Sequence, residues 1–328
     1  MNDVSIHIYA HSEDLPKGLM EDDFFHSPQL FDMLEQTPRQ SPRMLVATNA
    51  DGRIVGQLLA SVRWRRSLLP PYLYRHCHVI GKGNYQHVSG SEEEELFGLM
   101  LQAFTEQMGH GVLYIEVSHL PQKMYAYRQF RRAGYFPVRW MSIHNSLHSH
   151  TPEERISERM QQTIDNAYEK GVETVEVDSD ADFKAFLKLL RKHNFMKPKR
   201  YIPADEFFRM LKESGGNGRL FLTRHRGHVI GCSACAYSQQ NAYLWYAAFR
   251  RKSYVLLHPA ELTIWHAIKD AHQRGYDHIF FMDVGLPFRR NRFRDFILRF
   301  GGKEVSTFRW FRCSIGWVNR LLSWFYRD

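Results

Sequence analysis

Asp283 closes the run HIFFMDV, a buried-strand pattern that ends in a carboxylate. In open α/β sheets the reactive groups gather outside the carboxyl ends of strands. A carboxylate there can take a proton, directly or through water. The same residue can instead cap a helix or pair with Arg289 or Arg290, and the sequence leaves both roles open. Upstream, RRKSYVLLHPAEL sets Arg250, Arg251 and Lys252 ahead of a helix start at His258 and Pro259. Proline suits a first helical position because its missing N–H costs nothing there. A helix N-terminus beside three cations suits a phosphate, although Glu261 in the same first turn opposes one. The stretch RKHNFMKPKRYIP carries prolines at 198 and 203 and therefore reads as a loop. Its Lys197, Lys199, Arg200 and Tyr201 interleave cations with an aromatic, as a grip on a pyrophosphate or an RNA backbone would. PFRRNRFRDF adds Arg289, Arg290 and Arg294 beside Asp283 and makes that region electropositive.

The elements that hold these residues occur twice. DGRIVGQLL at 51–59 returns as RGHVIGCSA at 226–234, with glycines flanking two β-branched residues. EDDFFHSPQLFDMLEQT precedes the first copy and PADEFFRMLKES the second, each an acidic start, paired Phe and an amphipathic helix. EEEELFGLMLQAFTEQMGHGVLYIEV and PAELTIWHAIKDAHQRGYDHIFFMDV follow them. Each of these reads as a long helix, a glycine stop and a buried strand ending in a carboxylate and Val. YRQFRRAGYFPVRW and FRDFILRFGGKEVS complete the series as a short helix, a glycine and a strand. The offset is 175 residues at Gly56/Gly231 and 167 at both Glu116/Asp283 and Gly134/Gly301. The pattern predicts a duplicated α/β (α+β) chain, with tight hairpins at NADGR and RHRGH and helical crossovers between partly parallel strands. HNSLHSHTPEE marks the join, giving domains over 1–148 and 149–328, the second with a linking helix and a C-terminal amphipathic helix.

Composition sets the outer limits. A chain of 328 residues with 44% hydrophobic and 14% aromatic residues can bury sizeable cores, and two domains are the default at this length. A net charge of +9 favours an anionic partner such as a phosphate ester, RNA or acidic lipid. Four cysteines suit a reducing compartment. The first sixteen residues lack the pattern of a signal peptide and no apolar run reaches 18, so a cytoplasmic address follows, with the inner face of the membrane as its variant.

On the β-hairpin with G-x-[IV]-[IV]-G, the Pro-started helix, GYDHIFFMDVG and FRDFILRFGGKEV, the chain resembles the Fem-type (FemAB-like) family of tandem GNAT proteins. The resemblance covers nearly the whole chain and is best over 218–306. It implies two GNAT-like domains, each a mixed sheet flanked by helices, and acyl transfer to an amine. The second domain then holds the reactive site, and the first is a degenerate partner. The fold's two central parallel strands splay, and backbone N–H groups at the splay bind the donor carbonyl. In this chain they are 242–249 and 278–284, with Asp283 as the base and Tyr246 as the acid for a thiolate leaving group. Trp245 and Tyr246, adjacent on one strand, point to opposite faces, which puts only one of them on the groove wall. Arg294 takes the place where the family carries a Lys. The donor implied is acyl-CoA. Aminoacyl-tRNA with a cell-envelope precursor as acceptor is the alternative, although no long heptad arm of the tRNA-using members is visible. A non-catalytic basic module that meets membrane or RNA is the third possibility, since the usual glycine-rich CoA loop is absent from RRKSYVLLHPAEL.

Other signals carry less chemistry. Cys232 and Cys235 stand alone as a C-x-x-C within a strand, too few for zinc, and no metal is expected. His76 and His78 flank Cys77 with no identifiable acidic partner. Gly81-Lys82-Gly83 reads as a turn. In the C-terminal CSIGWVNRLLSWFYRD, Ile315, Val318, Leu322 and Phe325 share one helix face, Trp317, Leu321 and Trp324 lie beside it, and Arg320 and Arg327 lie opposite. Such a helix docks onto its own domain or rests in a membrane interface.

Overall fold

The structure, a computed structural model, describes residues 4–68, 71–108, 111–195, 201–282, 284–287 and 290–326, with the side chains of 67, 68 and 71 also outside the description. The chain forms two compact units, residues 1–140 with 306–328 and residues 141–305.

In the first unit, β1 (Ser5–Tyr9), α1 (Pro28–Glu35), β2 (Gln40–Thr48), β3 (Ile54–Leu68), β4 (Pro71–Ile80), β5 (Asn84–Tyr85), α2 (Ser91–Met108), β6 (Tyr114–Ser118) and α3 (Tyr127–Arg132) follow in order, and β7 (Phe136–Ser146) leads out. The second unit holds α4 (Glu158–Glu169), β8 (Val172–Glu176), α5 (Asp180–Asn194), α6 (Asp205–Lys212), β9 (Gly218–His225), β10 (His228–Ser238), β11 (Asn241–Phe249), α7 (Pro259–Gln273), β12 (His278–Phe281) and α8 (Arg292–Leu298). The chain finishes with β13 (Lys303–Cys313) and α9 (Gly316–Phe325). From α1 to β7 and from α6 to β13 the two copies match element for element, apart from the two-residue β5.

Both predicted hairpins form: Gly52 carries positive φ at the β2–β3 turn, and Arg226 and Gly227 carry it at the β9–β10 turn. In each unit the crossover helix joins two parallel strands, α2 between β4 and β6 and α7 between β11 and β12. Helix α2 has three glutamates in its first turn, where the helix dipole favours them. It buries Leu96, Phe97, Met100, Leu101 and Phe104 at helical spacing. Helix α7 is buried almost all round.

Residues 306–328, grouped with the second domain by chain order, pack with the first unit. The physical reason is in β13: Phe308 and Trp310 belong to the first unit's core, where Trp310 stacks on Phe130 at 4.5 Å. Trp310–Cys313 pair antiparallel with Val117–Tyr114 of β6. The end of β7 does the equivalent in the second unit, pairing Ile143–Ser146 with Phe281–His278 of β12. The join accordingly falls inside β7, at 140/141, rather than at 148/149.

Gly301, which closes α8, has φ +80°, and a Cβ there would lie 2.6 Å from the Arg155 carbonyl oxygen and Cβ. Its counterpart Gly134 has φ +81° with nothing nearer than 3.6 Å. Left-handed backbone costs a non-glycine residue about 1–2 kcal/mol, and overpacking adds about 1–3 kcal/mol. Gly301→Ala should therefore lose about 2–5 kcal/mol in denaturant unfolding and Gly134→Ala about 1–2 kcal/mol; equal losses would contradict the close approach at Arg155.

Candidate active site

Strands β11 and β12 run parallel and paired from Asn241/His278 to Leu244/Phe281, and a last bond runs from Met282 N–H to the Leu244 carbonyl at 3.3 Å. Beyond that point β11 continues to Phe249, and among the described residues none after Met282 is in register with it. On its other edge β11 pairs with β10, and the register slips: Leu244 faces Cys235 and Tyr246 faces Ala234, so Trp245 is an extra residue. This is a β-bulge, which bends a strand and re-aims its side chains. The bulge and the parting of the strands coincide.

The bulge corrects the expectation of opposite faces. The Trp245 and Tyr246 rings lie 5.7 Å apart at 20°, and they meet Phe207 and Phe208 of α6 at 5.3 and 5.2 Å. Both therefore stand on the α6 side. Period-two alternation fails where one residue has no partner opposite. Tyr246 is buried and Trp245 half-buried.

The end of β11 leads to the start of α7. Arg250 N–H donates to the Ile230 carbonyl at 2.8 Å, and Tyr254 N–H to the Arg250 carbonyl at 3.2 Å, closing a turn that carries Arg251 and Lys252. His258 has left-handed backbone (φ 46°) and gives α7 no side-chain cap, and Pro259 is the first helical residue. His258 thus gives the first turn's N–H groups no side-chain acceptor, in a helix of 15 residues. Glu261 is buried, 3.9 Å from the Arg251 guanidinium and 4.0 Å from that of Arg299. Two arginines therefore offset the carboxylate that opposes an anion. The sequence showed Arg251 but gave no signal for Arg299, which α8 brings back to α7. Val255 and Leu256 are exposed beside this turn. His193 at the end of α5, also missed, has Nδ1 3.1 Å from the Phe249 carbonyl.

The remaining predicted residues are spread out. Arg294 is 11% exposed, donates to the Leu286 carbonyl at 3.0 Å and pairs with Glu304 at 3.5 Å, which ties it to its own loop and strand. Arg290 is exposed and Tyr201 half-buried ahead of α6. Asp283, Lys197, Lys199, Arg200 and Arg289 lie outside the described residues.

The corresponding strands of the first unit neither bulge nor part. Strands β4 and β6 stay in register from His76/Tyr114 to Ile80/Ser118, and Gly81 N–H adds a bond to the Ser118 carbonyl at 2.8 Å. The β3–β4 ladder is unbroken. In the Gly81–Gly83 turn, Lys82 pairs with Glu93 at 2.8 Å and Gly83 N–H donates to His26 Nε2 at 3.1 Å, so the cation and that amide are engaged.

The first unit instead buries a polar cluster, and this overturns the absence of an acidic partner for His76 and His78. Parallel pairing sets His78 opposite Glu116. Glu116 Oε2 lies 3.2 Å from His76 Nε2, and its Oε1 lies 3.8 Å from His78 Nε2 and accepts from Arg309 at 2.9 Å. Arg309 also covers the Trp140 ring at 4.0 Å. Burial pushes both imidazoles below their ordinary value, His78 far below it. An Arg63 N–H at His78 Nδ1 leaves Nε2 to donate to Ser118 Oγ at 2.7 Å, so His78 cannot serve as a base toward that serine. Burial alone would raise the Glu116 carboxyl, but the attraction of His78, the contact with His76 and Arg309 hold it well below the carboxylate range. With the imidazoles neutral, Arg309 is the lasting counter-charge. Among the described residues no group of three ligands could hold a metal ion.

Residues 155–290 match the family model described as acetyltransferase (GNAT) domain, entirely within the second unit. No curated protein sequence matches the chain. Among solved structures, FemX is 11% identical with a TM-score of 0.63, over 95% of this chain and 96% of that one. L-PGS from Bacillus licheniformis is 9% identical with a TM-score of 0.59, over 94% and 100%. A tandem GNAT protein from the clavulanic acid biosynthesis pathway is 11% identical with a TM-score of 0.55, over 95% and 99%. Residues 155–290 of the second unit thus match a GNAT acetyltransferase domain, and in fold the chain is similar to FemX and to a tandem GNAT protein.

Proposed function

We propose that the protein transfers an acyl group from acyl-CoA to an amine, and that the second unit performs the step. The observation that supports this best is that the Trp245 bulge coincides with the end of the β11–β12 register among the described residues, whereas β4 and β6 of the first unit stay in register with no bulge. Where a strand loses its neighbour, its backbone donors are turned toward a cleft, and fixed N–H dipoles stabilise the oxyanion of an acyl-transfer intermediate. The start of α7, with Arg250, Arg251 and Lys252, would hold the donor's pyrophosphate. Exposed Val255 and Leu256 would meet its apolar arm.

In the reaction the amine nitrogen bonds to the thioester carbon and the C–S bond breaks. The proton lost by the nitrogen passes to Asp283, directly or through water, and the departing thiolate takes one from Tyr246. The role of Asp283 follows from its place in the sequence directly after Met282. The acceptor we favour is an amine on a cell-envelope precursor, as the sequence's resemblance to the Fem-type family implies.

Titration calorimetry with CoA and with aminoacyl-tRNA tests the donor. CoA should bind with 1:1 stoichiometry, and Arg251→Glu should weaken it about tenfold, because that change reverses a cation beside the anion and leaves Glu261 with one arginine instead of two. Binding of charged tRNA with no CoA binding would assign the site to the other donor.

A further inference from the structure

Helix α9 is held on the first unit by one side only. Asn319 Oδ1 accepts from Cys313 N–H and its amide donates to the Gly134 carbonyl, both at 2.9 Å. Val318, Leu322 and Tyr326 are half-buried, and Tyr326 stacks on Phe136 at 5.8 Å. The side turned to solvent carries Trp317, 66% exposed, Leu321, 54%, and Trp324, 63%, and Phe325, which the wheel groups with Val318 and Leu322, is 69% exposed at the end of the helix. The helix therefore both docks and presents, where the sequence suggested one or the other.

This face does not stand alone. Ser314 N–H donates to the Leu113 carbonyl and Leu113 N–H to that of Arg75, which ties the start of α9 to β4 of the long β3–β4 hairpin. A row of ring contacts makes the same link, from Tyr74 through Tyr114, Phe311 and Phe136 to Tyr326. On the hairpin Trp64 is 43% exposed and Leu73 68%, with Arg75 over the Trp64 ring at 5.6 Å and Arg66 opposite Leu73. Residues 62–75 and 312–326 contain six arginines and no Asp or Glu, in a chain with 35 acidic residues among 328.

We propose that this end of the first unit docks on an anionic lipid bilayer. The α9 face and the exposed Trp64 and Leu73 enter the interfacial layer, and Arg66, Arg75 and Arg320 meet the headgroups. Indole rings favour the headgroup level because one part of the ring is apolar and the other polar. An in-plane amphipathic helix binds by its buried apolar area together with attraction to anionic lipid. A second copy of the chain is a poorer occupant, since a two-fold contact would bring the same arginines face to face. No helix among the described residues is long and apolar enough to cross a membrane, so contact is at the surface.

Flotation of the full chain with vesicles tests this. The protein should float with phosphatidylglycerol/phosphatidylcholine vesicles, stay behind with phosphatidylcholine alone, and be released by salt. Trp317→Ser/Trp324→Ser should weaken partitioning at least about tenfold with unchanged melting, and Arg66→Glu/Arg75→Glu should weaken it too. Brominated lipid should quench the tryptophan fluorescence of the unsubstituted chain, a readout that needs no variant. Failure to bind the anionic vesicles, equal partitioning of the serine variant, or lipid-independent self-association lost in that variant would each overturn the proposal.

Discussion

Glu116→Leu should lower the stability of the first unit by about 3–5 kcal/mol, because it leaves the buried Arg309 guanidinium without its counter-charge. For a unit of this size that corresponds to a melting point about 6–20 °C lower. Removing both charges, as Glu116→Leu/Arg309→Met, should recover most of the loss, because a buried ion pair replaced whole by apolar groups is often neutral. A single change costing under about 1 kcal/mol would contradict this account of the cluster. The same cluster fixes the sign of a pH dependence. His76 and His78 titrate lower in the folded chain than their ordinary 6.5, so the unfolded chain binds protons first. Their contribution is present above about pH 6.5 and declines below it. The Glu116 carboxyl, also lowered, contributes above its ordinary 4.5 and loses that contribution as pH falls through its folded value. Both effects act in one direction, and melting curves should shift downward steadily from pH 7 to pH 4.

Asp283→Asn should reduce kcat by about 10²–10⁴, the span of a lost general base, while KM for the donor and the melting point stay unchanged. The split follows from the proposed role: Asp283 takes the acceptor's proton and does not hold the donor. Tyr246→Phe should also lower kcat while keeping the packing against Phe208, whose ring lies 5.2 Å away, because only the hydroxyl is removed. Unchanged turnover in Asp283→Asn would remove that residue from the step. A rise in donor KM without a fall in kcat would recast it as a binding group.

Much of this arrangement was legible in the sequence because its signals are local. Helix periodicity, the turn glycines and the Pro259 start each depend on a few neighbouring residues, and the repeat placed Gly56 with Gly231 and Gly134 with Gly301. What escaped depends on pairing between distant segments. The Trp245 bulge exists only relative to β10, and no property of AYLWYAAF announces that one residue will lack a partner. The alignment of His78 with Glu116 is set by the parallel register of β4 and β6, and Arg309 reaches Glu116 across 193 residues. The first-unit home of residues 306–328 was hidden for the same reason, since chain order says which strand comes last and not which sheet it completes. At α9 the helical wheel grouped Ile315 and Phe325 with Val318 and Leu322, yet the first two are exposed and only the last two are half-buried. The contacts of Asn319 and Tyr326 decide which apolar side is covered.

A crystal structure with a non-hydrolysable acyl-CoA analogue addresses the central claim most directly. The analogue's acyl group should lie along β11 at Trp245–Ala247 and its pyrophosphate at the first turn of α7, beside Arg251. A saturated crystal with that cleft empty, or with the analogue seated in the first unit, would contradict it.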